Sequence, residues 1–110
     1  MANTFKNFLS GSVGASAATV YTVPSGTTTV TVGMNVANRT ASQIEIDAYV
    51  TSTEDGSAAD VYIVKSAPVP SGGALAVLDG KIVLQTTDIV KVVSNTASSA
   101  DVILSIMEIT

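Results

Sequence analysis

The sequence predicts an all-β fold: a single antiparallel β-sandwich of about eight strands, jelly-roll or immunoglobulin-like, carrying an N-terminal arm. Three observations carry that prediction. Aliphatic and β-branched residues dominate the 110 residues, Ser and Thr supply about a quarter of them, and only 13% are charged. Short runs of alternating apolar and polar residues recur between Pro, Gly and Asn turns at the spacing of sandwich strands. One phrase is written twice, Val23-Pro24-Ser25-Gly26 followed by Val36-Ala37-Asn38-Arg39-Thr40, and Val69-Pro70-Ser71-Gly72 followed by Val93-Ser94-Asn95-Thr96-Ala97. The copies are too short to fold apart and read as two turn-strand-turn-strand units of one domain, placed on facing sheets.

From the N-terminus, residues 1–10 hold Phe5 and Phe8, the only two phenylalanines, and a Gly/Ser/Ala-rich stretch resembling a connector runs to Ala18. The segment reads either as an edge strand capping its own core or as an arm that docks its rings on a neighbouring subunit. The division adopted is arm and flexible connector over 1–18, and sandwich over 19–110. Ala15-Ser16-Ala17 fits a signal-cleavage pattern, but Lys6 alone supplies positive charge and Ser and Gly interrupt the apolar run, so a secretory leader is not expected.

Val20 to Val23 forms a strand that ends in Pro24-Ser25-Gly26, where proline presets one turn angle and glycine accepts a positive φ. Val30, Val32, Met34 and Val36 alternate with Thr29, Thr31, Gly33 and Asn35, which predicts one buried and one wetter face. After Asn38-Arg39-Thr40, Ile44, Ile46, Ala48 and Val50 alternate with Glu45, Asp47, Tyr49 and Thr51, and the two runs read as an antiparallel pair. The acidic turn Glu54-Asp55-Gly56 leads to a strand from Val61 that closes at Pro68-Val69-Pro70. Ala74–Leu78 and Lys81–Gln85 flank an Asp79-Gly80 hairpin signal. Ile89–Val93 and Val102–Ile109 complete the set. Lys65, Lys81 and Lys91 interrupt apolar runs, as charges that protect edge strands do.

In the last strand, Val102, Leu104 and Ile106 take one face while Ile103, Met107 and Ile109 take the other, so both sides prefer to leave water. One face meets the core and the other a second layer or subunit. The candidate assembly contacts are therefore Phe5, Phe8, Ile103, Met107 and Ile109.

No cofactor or metal is expected, and no enzyme. Without cysteine or histidine, thiolate and imidazole chemistry is absent, as are the usual nucleophile–base pairs. Glu45 and Asp47 share a strand face roughly 6.5–7 Å apart, but sugar-cleaving carboxylates need aromatic platforms, and the chain has no Trp and three Tyr. Glu54, Asp55 and Asp60 lack the alternating oxygen ligands of a calcium loop. Asn38-Arg39-Thr40 matches a glycosylation sequon and reads more simply as a turn. A net charge of −4 with five scattered cations leaves no basic stripe for nucleic acid, and no apolar stretch approaches a membrane helix.

Taken in order, Met1-Ala2-Asn3-Thr4-Phe5-Lys6-Asn7, Thr19-Val20-Tyr21-Thr22-Val23-Pro24, Tyr62-Ile63-Val64-Lys65-Ser66-Ala67-Pro68-Val69-Pro70 and Ser99-Ala100-Asp101-Val102-Ile103-Leu104-Ser105-Ile106-Met107-Glu108-Ile109 resemble small virion structural proteins of tailed bacteriophages, of marine and cyanobacterial hosts especially. The resemblance implies a non-enzymatic particle component. It would be made in the host bacterial cytoplasm and assembled in many copies with itself and other virion proteins, as a capsid decoration or cement protein or a neck or tail piece. The alternative is a β-sandwich module that recognises a receptor or glycan through its loops.

Overall fold

The computed structural model describes residues 3–52, 59–78 and 80–110, and every regular element among them is a strand. These are β1 (Asn3–Val13), β2 (Ala18–Thr22), β3 (Thr28–Asn38), β4 (Ile44–Ser52), β5 (Ala59–Val69), β6 (Ala74–Ala76), β7 (Val83–Leu84), β8 (Ile89–Ser94) and β9 (Ala100–Ile109). The first sheet runs β1-β9-β3-β6 with β7 also on β3, and the second runs β2-β8-β4-β5. Each pairing is antiparallel.

The pairings nest. The first strand lies on the last, β2 lies on β8, β3 on β6 and β7, and β4 on β5. Because β6 meets Asn35–Ala37 and β7 meets Thr29–Val30, the two short strands share one of eight strand positions. Eight antiparallel positions wrapped in this nested order across two sheets make a jelly roll, which decides between the two topologies the sequence allowed.

Both Pro-Ser-Gly turns are corners of the same kind. Gly26 and Gly72 take φ of 71° and 67°, and Val23 and Val69 ahead of them are fully buried. Each turn carries the chain from the second sheet to the first, into β3 and β6, which are paired neighbours. The repeated units therefore do not sit on facing sheets as expected.

Three further expectations change. β3 and β4 are not a pair but belong to different sheets, because the turn between them is a corner built on Asn38. The buried Asn38 amide donates to the carbonyls of Ser42 (2.7 Å), Val69 (3.0 Å) and Pro70 (3.2 Å), while its Oδ1 accepts from the Thr40 amide and hydroxyl. The sequon is thus a lock between the β3–β4 corner and the end of β5. β6 and β7 do not form a hairpin with each other, since both spend their hydrogen bonds on β3; Asp79 and the Glu54-Asp55-Gly56 turn lie outside the described residues. Of the three lysines read as edge guards, only Lys65 is on an edge strand; Lys91 is on the interior strand β8, and Lys81 lies between strands.

The core follows the alternation in most strands. Val36, Ile44, Ile46, Val92, Val102, Leu104 and Ile106 are all at or below 1% exposure, and burial of such side chains contributes roughly 1.5–3 kcal/mol each. β3 breaks the rule in its middle. A bulge between Thr31 and Gly33 shifts its register against β9, so that Thr29 and Thr31 point inward ahead of it while Met34 and Val36 point inward after it. Thr31 tolerates burial because its hydroxyl donates to the Ile82 carbonyl and accepts from the Ile82 amide. The consequence is that Val30 and Val32 are turned outward.

Candidate assembly face

β1 is the outer strand of the first sheet. Asn3 to Ser10 lie in continuous register against Ile109 to Val102, so residues 3–13 form a strand of the body, with an irregularity before Val13. The arm-and-connector reading of residues 1–18 is replaced by the edge-strand reading for Asn3–Val13, and Ala18 already belongs to β2. The reason is the unpaired edge of β9, whose amides and carbonyls find a ladder partner in β1.

Alternate residues of β1 then take opposite roles. Phe8 faces inward and is half-buried, its ring 4.6 Å from that of Tyr21. Lys6, on the same side, pairs with the buried Glu108 at 2.9 Å. Glu108 Oε2 accepts the Tyr21 hydroxyl proton at 2.6 Å; that leaves the Tyr21 oxygen to accept from Thr29 at 2.8 Å. Tyr21 is on β2, Glu108 on β9 and Thr29 on β3, so the cluster bolts the two sheets together beneath β1. The Tyr21 bond, followed by the Lys6 bond, holds the Glu108 carboxyl below its ordinary value against the opposing effect of burial. Burial, reinforced by the Glu108 hydrogen bond, pushes the Tyr21 hydroxyl up to about 12. At the other end of β1, Asp101 accepts from the Ser12 amide at 2.9 Å and pairs with Arg39 at 3.3 Å, while Arg39 also reaches the Ser12 hydroxyl.

The opposite side of β1 carries two large exposed apolar side chains alternating with the asparagines Asn3 and Asn7. Phe5 is 74% exposed and Leu9 68%, and cross-strand register places Phe5 beside Met107 and Leu9 beside Ile103. Met107 in turn lies beside Val30, and Val30 beside Val83, making one apolar row across β1, β9, β3 and β7. Among the residues anticipated from sequence, Phe5, Ile103, Met107 and Ile109 share this outer face, with Phe8 on the far side of the same strand. Val30, Val32 and Val83 were missed, as was Leu9. Only the bulge turns the first two outward, and only the β3–β7 pairing brings Val83 beside them.

The outer face of the second sheet differs in chemistry. It carries Glu45, Asp47, Lys65 and Lys91; Asp47 accepts from the Ser66 amide at 2.7 Å and from Lys65 at 3.3 Å. A cleft of about 140 Å³ beside Glu45 and Asp47 has Ser66, Val93, Ser94 and Asn95 as its other walls, with no aromatic platform. The ring of Tyr62, 43% exposed, is covered by the Lys65 ammonium 4.6 Å from its centre. Among the described residues no three acidic side chains gather as a metal site.

No protein-family model and no curated protein matches the chain. Two solved structures resemble it. One is a chain of Bacillus endospore appendages, described as a novel family of disulfide-linked pili, with a TM-score of 0.52 and 14% identity over 98% of this chain and 88% of that one. The other is a chain from the structure of infectious bursal disease virus, Gx strain, with a TM-score of 0.50 and 15% identity over 96% of this chain. The alignment spans 29% of that viral chain. At these identities the likeness is one of fold, and the absence of cysteine here rules out disulfide linkage.

Proposed function

We propose that this chain is a non-enzymatic structural protein of a tailed-phage virion, present in many copies as a capsid decoration or cement protein or a neck or tail accessory. The observation that carries the reading is the outer face of the first sheet, where Phe5, Leu9, Val32, Val83 and Ile103 are each about half or more exposed on one side of one sheet. Large apolar side chains exposed together on one sheet face mark a surface for association. The resemblance of its phrases to small phage virion proteins supports the choice of particle, and the fold likeness to a chain of endospore-appendage pili and to a chain of a virus is compatible with a structural role. The loop-binding alternative has less to stand on, since the exposed tyrosine is already occupied by Lys65.

Electron microscopy of purified particles tests the assignment. The expected result is a repeated density into which this jelly roll fits on the head, neck or tail. Particles that lack the chain by mass spectrometry overturn it.

A further inference from the structure

The outer face of the first sheet is corrugated, and its relief is complementary to itself. Successive outward rows are spaced by two residues, roughly 6.5–7 Å along the strands. The first row, Phe5, Met107, Val30 and Val83, is a ridge. The second is Asn7, Ser105 and Gly33, where a groove of about 380 Å³ runs over Asn7 and Ser105 between Phe5 and Val32. The third row rises again with Leu9 and Ile103 and continues on β3 as the exposed, polar Asn35. In the fourth, Gly11 and Asp101 line a second groove of about 390 Å³ that reaches Arg39, and Ala37 lies beside Asp101 on β3.

We infer that this face packs against the same face of a second copy of the chain across a twofold axis parallel to the rows and midway between the second and third. The inference rests on the reading of the chain as a multi-copy structural subunit. Rotation about that axis exchanges the second row with the third and the first with the fourth. Each ridge thereby meets a groove: Leu9 and Ile103 of one copy sit over Asn7 and Ser105 of the other, Asn35 sits over Gly33, and Phe5 and Met107 sit over Gly11 and Asp101. The contact is isologous, so one patch serves both partners.

Charge and area point to a second copy as the occupant. The chain carries −4 overall, yet this face holds one charged residue in its four rows, Asp101, which pairs with Arg39. Two copies therefore approach through it without repulsion, and charge depletion is the mark of an interface centre. Four strands about 4.8 Å apart and about nine residues long give a plan area on the order of 500–600 Å² before relief is counted. That approaches the roughly 800 Å² per partner of a standard interface. The twofold also brings each Phe5 ring under the second copy's Arg39 guanidinium, a favourable cation–π arrangement.

The test uses the absence of native cysteine. Val30→Cys protein and Ala37→Cys protein are prepared separately, mixed, and treated with a short bis-maleimide. Facing sheets lie about 10 Å apart, so the mixture should yield a cross-linked dimer that neither variant yields alone, since each position is about 20 Å from its own copy at 3.3 Å per residue. In parallel, Ile103→Asp and Leu9→Asp should weaken association on the order of a hundredfold or more, because each places a charge in the dry contact. Both variants should keep the thermal midpoint of the parent monomer. Self-association without the Val30–Ala37 cross-link, for instance with Asn7→Cys cross-linking alone through edge-to-edge β1 pairing, overturns the twofold face and leaves the structural role standing. A chain that stays monomeric at every concentration and is absent from particles overturns both.

Discussion

Tyr21→Phe removes one oxygen atom from the bolt between the sheets, and its cost follows from that atom's partners. The hydroxyl donates to a buried carboxylate at 2.6 Å and accepts from a fully buried Thr29. A hydrogen bond to a charged group contributes roughly 1.5–3 kcal/mol, and stranding the Thr29 donor adds about 1 kcal/mol. The phenyl ring keeps the packing against Phe8, so no cavity beyond the oxygen is made. The expected loss is about 3 kcal/mol, a large share of the 5–15 kcal/mol typical of a domain. Urea denaturation of the monomeric protein measures it. The acid limb gives an independent readout: with Tyr21 gone, Glu108 loses the first of the contacts that lower its pKa, and acid unfolding should begin at higher pH. A loss under 1 kcal/mol with an unmoved acid limb would refute the assignment of the cluster as a bolt.

Other expectations concern pH, the Asn38 lock and the repeated corner. In the parent, the Glu108 contribution is present above its unfolded value of 4.5 and is lost as pH falls through the depressed folded value; the Tyr21 contribution is present below pH 10 and is lost as pH rises toward about 12. Stability measured across pH should therefore fall at both ends, and Tyr21→Phe should reduce the alkaline fall between 10 and 12, leaving the part that belongs to Tyr49, raised by burial, and to Lys65, raised by its bond to Asp47. Asn38→Ala strands the carbonyls of Val69 and Pro70 and opens the β3–β4 corner, at a cost of about 3 kcal/mol by denaturant titration. Gly26→Ala and Gly72→Ala meet no atom within 4 Å, so each should cost only the left-handed backbone penalty of about 1–2 kcal/mol. Equal losses support two equivalent corners, and a difference above about 1 kcal/mol argues against equivalence.

The same local text did not always mean the same thing in three dimensions. Pro24-Ser25-Gly26 and Pro70-Ser71-Gly72 are the same corner, because proline and a left-handed glycine dictate a turn whatever surrounds them. Asn38 and Asn95 open similar polar turns but diverge. Asn38 is buried and spends its amide on three carbonyls, whereas Asn95 is exposed and extends the ladder to Glu45 with its side chain and amide. No local signal separates them, since what differs is the neighbouring strand end. The candidate face was half legible for the same reason. Ile103, Met107 and Ile109 are visible in the two-sided alternation of β9, but Val30 and Val32 looked like core until the bulge in β3 reversed their phase.

By itself, the sequence determined the strand content, the corners and the exclusion of thiolate and imidazole chemistry, all set by residue type and by a period of two within a few neighbours. The tertiary structure alone decided the jelly-roll nesting, the place of β1 on the edge of β9, the Tyr21–Glu108 bolt and the outward apolar rows. Each of these depends on pairing between residues tens of positions apart, and a shift of one residue in such a pairing moves every following side chain to the other face of the sheet.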